Sequence, residues 1–330
     1  MSKRQKNAFL LVAGICLLSA LLSLCFGAVR LSLPELWQAI CRGPSSTAGY
    51  IFWYSRLPRT AACLLAGGAL SVSGCILQTV LGNRLASPNI IGVNAGAGLA
   101  VTLSFALGAA SGWTVAMAAF GGALAAALLI VLLAQKTGAS RTTVILAGVA
   151  MNSILGALRD AVAILLPDSG LLSSTFRVGG FSSVVTEQLV PAGILICGAL
   201  AVALSLCSEL DVLALGEDSA QSLGLPVPVY RFLFLLLAAL LAGAAVSFAG
   251  LLGFVGLLVP HFARQIIGTE SRRLLPFAVV AGAGFVTLCD LFARVLFAPH
   301  EFHVGILLSI LGGPLFLMLL FRQKGGHRHA

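Results

Sequence analysis

Apolar residues fall along this chain in long unbroken blocks, separated by short clusters of Gly, Pro and charged residues. A block of about 20 apolar residues is what a helix needs to span the hydrocarbon layer of a bilayer. Cutting the chain at its punctuation gives ten blocks, near residues 8–28, 58–81, 90–108, 113–134, 142–166, 189–207, 230–250, 252–263, 276–297 and 304–321. Helices are the expected form, because a helix satisfies its own backbone groups where no water can. A membrane β-barrel would show alternating segments of about ten residues, which continuous blocks exclude. The expected fold class is therefore all-α, a single polytopic membrane domain over residues 1–330 with about ten transmembrane helices. The eighth block is short and broken by Gly253, Gly256 and Pro260. Broken helices at membrane depth are tolerated only under protein or beside water, which places this one inside the bundle.

Composition agrees: of 330 residues, 59% are hydrophobic and 9% charged, with a mean hydropathy of +1.04. A soluble domain carries roughly 25% charged residues. The first block follows Lys3, Arg4 and Lys6 as a secretory leader would, but it is long enough for a full crossing and no small-x-small cleavage site follows, so it is expected to persist as a helix. Eight cysteines lie scattered, mostly in apolar blocks and without a C-x-x-C pair, which argues against a disulfide framework or a zinc site. With an even number of spans both ends share one side. Lys3, Arg4, Lys6, Arg322, Lys324 and Arg328 make that side cytosolic, joined there by Arg84, Lys136, Arg141, Arg231, Arg264, Arg272 and Arg273.

Several polar features interrupt this pattern. Arg56-Leu57-Pro58-Arg59 stands at the outer entrance to the second span, where arginines either anchor to lipid headgroups or dock an acidic protein. Asp290 and Arg294 are four apart near the outer end of the ninth span, a spacing that pairs them across one helical turn. Arg159 and Asp160 read as interfacial or bundle-facing polar groups. Between the sixth and seventh spans, residues 208–229 are too polar to cross lipid. Within them Gly216 to Gly224 predicts a short helix bounded by glycines, with Glu217 and Ala220 on one face and Pro226 and Pro228 beyond its end. Such a helix is either an interfacial turn or a wedge for a groove on a partner. The chain has no G-x-x-x-x-G-K-[ST] loop, so nucleotide-driven work requires a second polypeptide. An ion-coupled secondary transporter, with Arg159, Asp160 and Asp290 handling the ion, is the rival reading from another class. An intramembrane enzyme lacks the H-E-x-x-H or nucleophile-elbow motif it would need.

Beyond these readings, the motifs Arg56-Leu57-Pro58-Arg59, Gly74 to Gln78, Asn83 to Pro88, Gly92 to Ala97, Leu146 to Ala150 and Gly179-Gly180-Phe181 occur in an order that resembles the iron-siderophore, haem and cobalamin ABC permease family. The Gly216 to Gly224 segment, Gly253 to His261 with Arg264, and Asp290 with Arg294 extend the likeness to about residue 321. The resemblance implies a FecCD-like transmembrane subunit of a type II ABC importer, paired with a second copy or a close paralogue around a central pore. It implies two ATP-binding cassette subunits on the cytosolic side, an extracytoplasmic substrate-binding protein, and membrane lipid around the bundle, with no nucleic acid. The implied cargo is an iron chelate, a ferric siderophore first and haem or cobalamin next. No cofactor is expected on this chain, ATP and Mg belonging to the partner ATPase. By the same resemblance, Arg56, Arg59 and Arg294 dock the binding protein, Gly216, Glu217, Ala220 and Gly224 form the coupling helix, and Asn83, Leu85, Thr142 and Thr143 belong to an inner gate. His300, Glu301 and His303 form the outer mouth, where imidazoles could ligate haem iron transiently or simply be solvated. Two departures stand out: Arg84 where the family has proline, and Glu301-Phe302-His303-Val304-Gly305 where it has E-x-P-x-G.

Overall fold

The structure is a computed structural model that describes residues 2–27, 29, 31–136, 141–296 and 302–325. In chain order the helices are α1 (Lys3–Cys25), α2 (Leu33–Arg42), α3 (Thr47–Tyr50), α4 (Leu57–Val80), α5 (Val93–Ala106), α6 (Gly112–Lys136), α7 (Arg141–Leu165) and α8 (Pro167–Val178). They continue as α9 (Thr186–Ser205), α10 (Cys207–Ala214), α11 (Glu217–Ser222), α12 (Val227–Ala249), α13 (Val255–Ile267), α14 (Ser271–Leu296) and α15 (Val304–Gly325). A π-helical turn, Ile51–Arg56, joins α3 to α4. Among the described residues, seven helical stretches are long and apolar enough to cross a membrane, and α5, α13 and the apolar part of α15 are shorter. These ten elements coincide with the ten apolar blocks of the sequence.

The break in the eighth block has a backbone cause. Gly250 ends α12 at φ 68°, and Phe254 enters α13 at φ 64°, a left-handed conformation that a non-glycine residue adopts only when its surroundings enforce it. The surroundings include α15, where a Cβ added at Gly312 would stand 2.3 Å from the Phe254 ring. With 13 residues, α13 is about 20 Å long at 1.5 Å per residue, too short to cross the bilayer alone. Its Val255, Leu258, Val259 and Ala263 are buried, as an interrupted segment at this depth requires.

At the centre stands α4. Of the apolar window containing it, 83% is buried, against 11% for the windows in α1 and α7, so α4 is sheathed by protein while those two show most of their surface to other surroundings. α12 and α14 pack along α4 over much of its length. Small residues permit this: a Cβ on Gly67 of α4 would stand 2.2 Å from the Gly282 carbonyl oxygen of α14, and one on Gly74 would stand 1.9 Å from the Gly256 carbonyl of α13. A third crossing joins Gly96 of α5 to Gly122 of α6, where an added Cβ would meet the opposing carbonyl at 2.2 Å. Ser73 donates across the interior to the Ala238 carbonyl of α12 at 2.7 Å.

Candidate functional site

The end of the bundle where α1 stops and α4 begins is tied by arginines. Arg56, last residue of the π-helical turn, donates from Nη1 to the carbonyls of Leu24 (2.8 Å) and Cys25 (2.5 Å) and from Nη2 to that of Val29 (2.6 Å). It thereby covers carbonyls that the end of α1 leaves without partners. One turn further, Arg59 holds Asp290 of α14 in a fork, Nε lying 3.1 and 3.2 Å from the two carboxylate oxygens and Nη2 3.0 Å from Oδ1. Arg294 approaches the same carboxylate, Nε at 2.9 Å from Oδ2. Its Nη2 also donates to Ser23 of α1 at 2.7 Å, and Ser23 in turn shares a 2.7 Å bond with Thr60 of α4. The i,i+4 pair expected of Asp290 and Arg294 is thus present, and Arg59 joins it from 231 residues away.

These are the three arginines that the resemblance assigns to docking a binding protein. Arg56, Arg59 and Arg294 are all buried, and their guanidiniums bind Asp290, Ser23 and carbonyls at and just beyond the end of α1. In this conformation they brace α1, α4 and α14 and do not present free charge to a docking protein. The outer-mouth residues divide. His300 and Glu301 lie outside the described residues, whereas His303 is half-buried, stacked against Gly180 and lining a small cleft with Arg59, Phe181, Ser182 and Phe302.

The C-terminal end of α4 has its own arginine. Arg264 of α13 donates to the Gln78 side chain, and its Nη2 lies 3.1 Å from both the Cys75 carbonyl and the Thr79 hydroxyl. It closes the last turn of α4 as Arg56 closes that of α1. Asn83 accepts from the Leu85 N–H at 2.8 Å, an Asx turn that leaves Leu85 exposed and Arg84 pointing to the surface. Asn152 of α7 donates to the Asn89 carbonyl at 2.6 Å and joins this turn region to α7. Thr142 and Thr143 open the same helix and are exposed. Further along α7, Arg159 binds Asp160 at 2.8 Å, and the carboxylate is 58% exposed, so this is a surface pair rather than a buried relay.

The expected short helix is present as α11, entered at Gly216 (φ 108°) and left through Gly224 (φ 82°), two glycines whose left-handed backbone other residues rarely adopt. Glu217 pairs with Arg231 of α12. Ala220, expected beside Glu217 on the presented face, is instead fully buried, because the six-residue helix needs an apolar anchor to stay on the bundle. What α11 shows outward is Asp218, Ser219, Gln221 and Ser222, flanked by exposed Leu215 and Leu223. Asp211 of α10 accepts from the backbone N–H of Ser271, the first residue of α14, at 2.9 Å. Asp211 and Arg231 carry no motif of their own, and their partners become visible only once the fold brings α10, α12 and α14 together.

Ten apolar helices, one of them broken at membrane depth, with a short polar helix held between two spans on one face, define a polytopic transport permease. The chain belongs to the FecCD transport family, whose profile matches residues 15–322. It is 36% identical over 328 residues to the hemin transport system permease protein HmuU of Yersinia pestis, covering 97% of this chain and 96% of that one. It is 35% identical over 332 residues to the vitamin B12 import system permease BtuC of Salmonella typhi, covering 97% of each. Identity to the iron(3+)-hydroxamate import permease FhuB of Bacillus subtilis is 35% over 338 residues, 98% of this chain and 86% of that one. Among solved structures, a chain described as an inward-facing metal-chelate type ABC transporter superposes with a TM-score of 0.85 at 27% identity, over 96% of this chain and 99% of that one. The chain is an ABC importer permease of this family.

Proposed function

We propose that the chain is one of two like subunits that enclose a path for an iron chelate, a ferric siderophore, across the cytoplasmic membrane, with both termini in the cytosol. ATP and Mg are held by two partner ATPase subunits docked on the face that carries α11, and a binding protein delivers cargo to the opposite face. The observation that carries this reading is the contrast between two exposed helices. α1 shows Leu10, Leu11, Leu17 and Leu18, a surface suited to lipid tails. α7 is equally uncovered but shows Thr142, Thr143, Ser153 and Asp160 among its apolar residues. Hydrocarbon does not solvate a carboxylate, so such a face belongs against a second copy or along a water-filled path. The family relatives named above carry hemin, vitamin B12 and iron(3+)-hydroxamate, all metal held in a ready-made organic cage, which supports a chelate as cargo.

The test is reconstitution of the chain with its ATPase and binding protein in liposomes, followed by uptake of iron-55 as a hydroxamate chelate. ATP-dependent uptake is the expected result. Uptake of hemin or cyanocobalamin in its place would move the cargo within the family. Uptake by the chain alone, without ATP, would replace the reading with an ion-coupled transporter.

A further inference from the structure

The cytosolic segment α10–α11 is fastened to the bundle at two points. α11 has six residues, and an isolated helix under about 12 residues is marginal in water, so its position is set by what holds it. Buried Ala220 seats it, and the Leu225 N–H returns to the Ala220 carbonyl at 3.0 Å. Glu217, at its first position, pairs with Arg231 in the second turn of α12, and the Arg231 side chain is 19% exposed, so the pair is partly shielded from water. The second fastening is made by α10, whose Leu210 and Leu213 are buried. Its Asp211 supplies, from 60 residues away, an acceptor to Ser271 N–H, one of the donors that the start of α14 cannot satisfy within the helix.

We propose that Glu217, Arg231 and Asp211 form a two-armed strut: positioning residues that make α11 move as one body with α12 and α14. This rests on the reading of α11 as the contact for the ATPase. Both long helices lie along α4, so a push on α11 cannot be absorbed by bending of the 208–229 loop. It is delivered along α14 to Asp290, which holds Arg59 of α4 at the far end of the bundle. Glu217 thus acts through Arg231, not through the ATPase surface.

The experiment compares cargo moved per ATP hydrolysed in the reconstituted full complex. Glu217→Ala and Arg231→Ala each lower that ratio at least about fivefold, the small end of a coupling between sites, while ATP hydrolysis continues. The exchanged pair, Glu217→Arg with Arg231→Glu, recovers it. Asp211→Ala uncouples in the same way, and Asp211→Asn, which still offers an acceptor oxygen, does not. An Arg231→Ala complex with the wild-type ratio, or an exchanged pair as uncoupled as the single variants, overturns the strut and leaves Glu217 as a direct ATPase contact. A second measurement needs no variant: hydrogen exchange in the wild-type complex. ATP binding should alter protection at the starts of α12 and α14 together with α11, and a change confined to α11 overturns the proposal. A wild-type complex without ATP-dependent uptake would defeat the importer reading itself, a result distinct from failure of either arm.

Discussion

Asp290 is the residue on which the arginine-tied end of the bundle turns. Two buried guanidiniums converge on its carboxylate, and removing it leaves both without their shared anion. Breaking a buried ion pair from one side costs about 3–5 kcal/mol, so Asp290→Ala should lower the thermal midpoint of the purified protein sharply in a differential scanning measurement. Asp160→Ala, which removes an exposed partner of Arg159, should change it little, as exposed pairs contribute about 0–1 kcal/mol. The sequence made half of this site legible. Four-residue spacing announced the Asp290–Arg294 pair, because neighbours on one helix follow from pitch alone. The partnership with Arg59 was not readable, since it depends on which two helices the small residues at Gly67 and Gly282 bring into contact. The bonds made by Arg56, Arg59 and Arg294 were hidden for the same reason: a sequence shows an arginine at a span's end but not the carbonyls and carboxylate beside it.

Among elements, the long spans were legible and so was α11, but the other short helices between them were not. Ten apolar blocks mark ten membrane elements because lipid imposes one length and one polarity on every segment. α2, α8 and α10 obey no such rule; they are shaped by packing on their neighbours and, in α2, by local capping. α2 is a clear case. Glu35 accepts from both the backbone N–H and the hydroxyl of Ser32 at 2.7 Å, and Trp53 of the π-helical turn donates to the Ala39 carbonyl at 3.0 Å. The two Ser32 hydrogen bonds hold the Glu35 carboxyl below its usual value of 4.5. A depressed folded-state value means the cap contributes above the unfolded value and is lost as pH falls through the folded one. Hydrogen exchange across residues 33–42 should therefore lose protection relative to a Glu35→Gln protein compared at the same pH once pH drops below 4.5, and the two should differ most near neutrality. Helix crossings make a sharper test. Gly282→Val places a branched side chain against Ser71 and the Gly67 carbonyl, with the first carbon already within 1.9 Å of the serine oxygen. Overpacking of this kind costs about 1–3 kcal/mol, whereas Gly121→Ala, which meets nothing within 4 Å, should gain about 0.5–1 kcal/mol from helix propensity. Thermal midpoints of the two variants should move in opposite directions.

At the scale of the whole molecule, the uneven sheathing of the helices says more than their number. A bundle wholly surrounded by lipid would show the same apolar surface on every outer helix; here α1 and α7 are equally bare yet chemically different. The face of α7 continues from Thr142 and Thr143, past Ser153, to Asp160, so its polar groups run from the face bearing α11 toward the opposite side. The segment that follows the Asn83–Leu85 turn is tied to the middle of that line through Asn89 and Asn152. A movement of α7 is therefore passed to this segment. Water access decides whether the α7 face lines a path. With exposed Cys41 and Cys197 replaced by Ser, single cysteines at Ser153 and Asp160 should react with a small charged thiosulfonate in proteoliposomes of the assembled complex. Cysteines placed at Leu11 and Leu17 of α1 should stay silent, because the reagent does not enter hydrocarbon. If the proposed ATPase subunits drive the chain, labelling at position 153 should also change on addition of ATP. Equal silence at all four positions would show that no water reaches this face, which removes the path along α7 and leaves the face packed against a second copy or lipid.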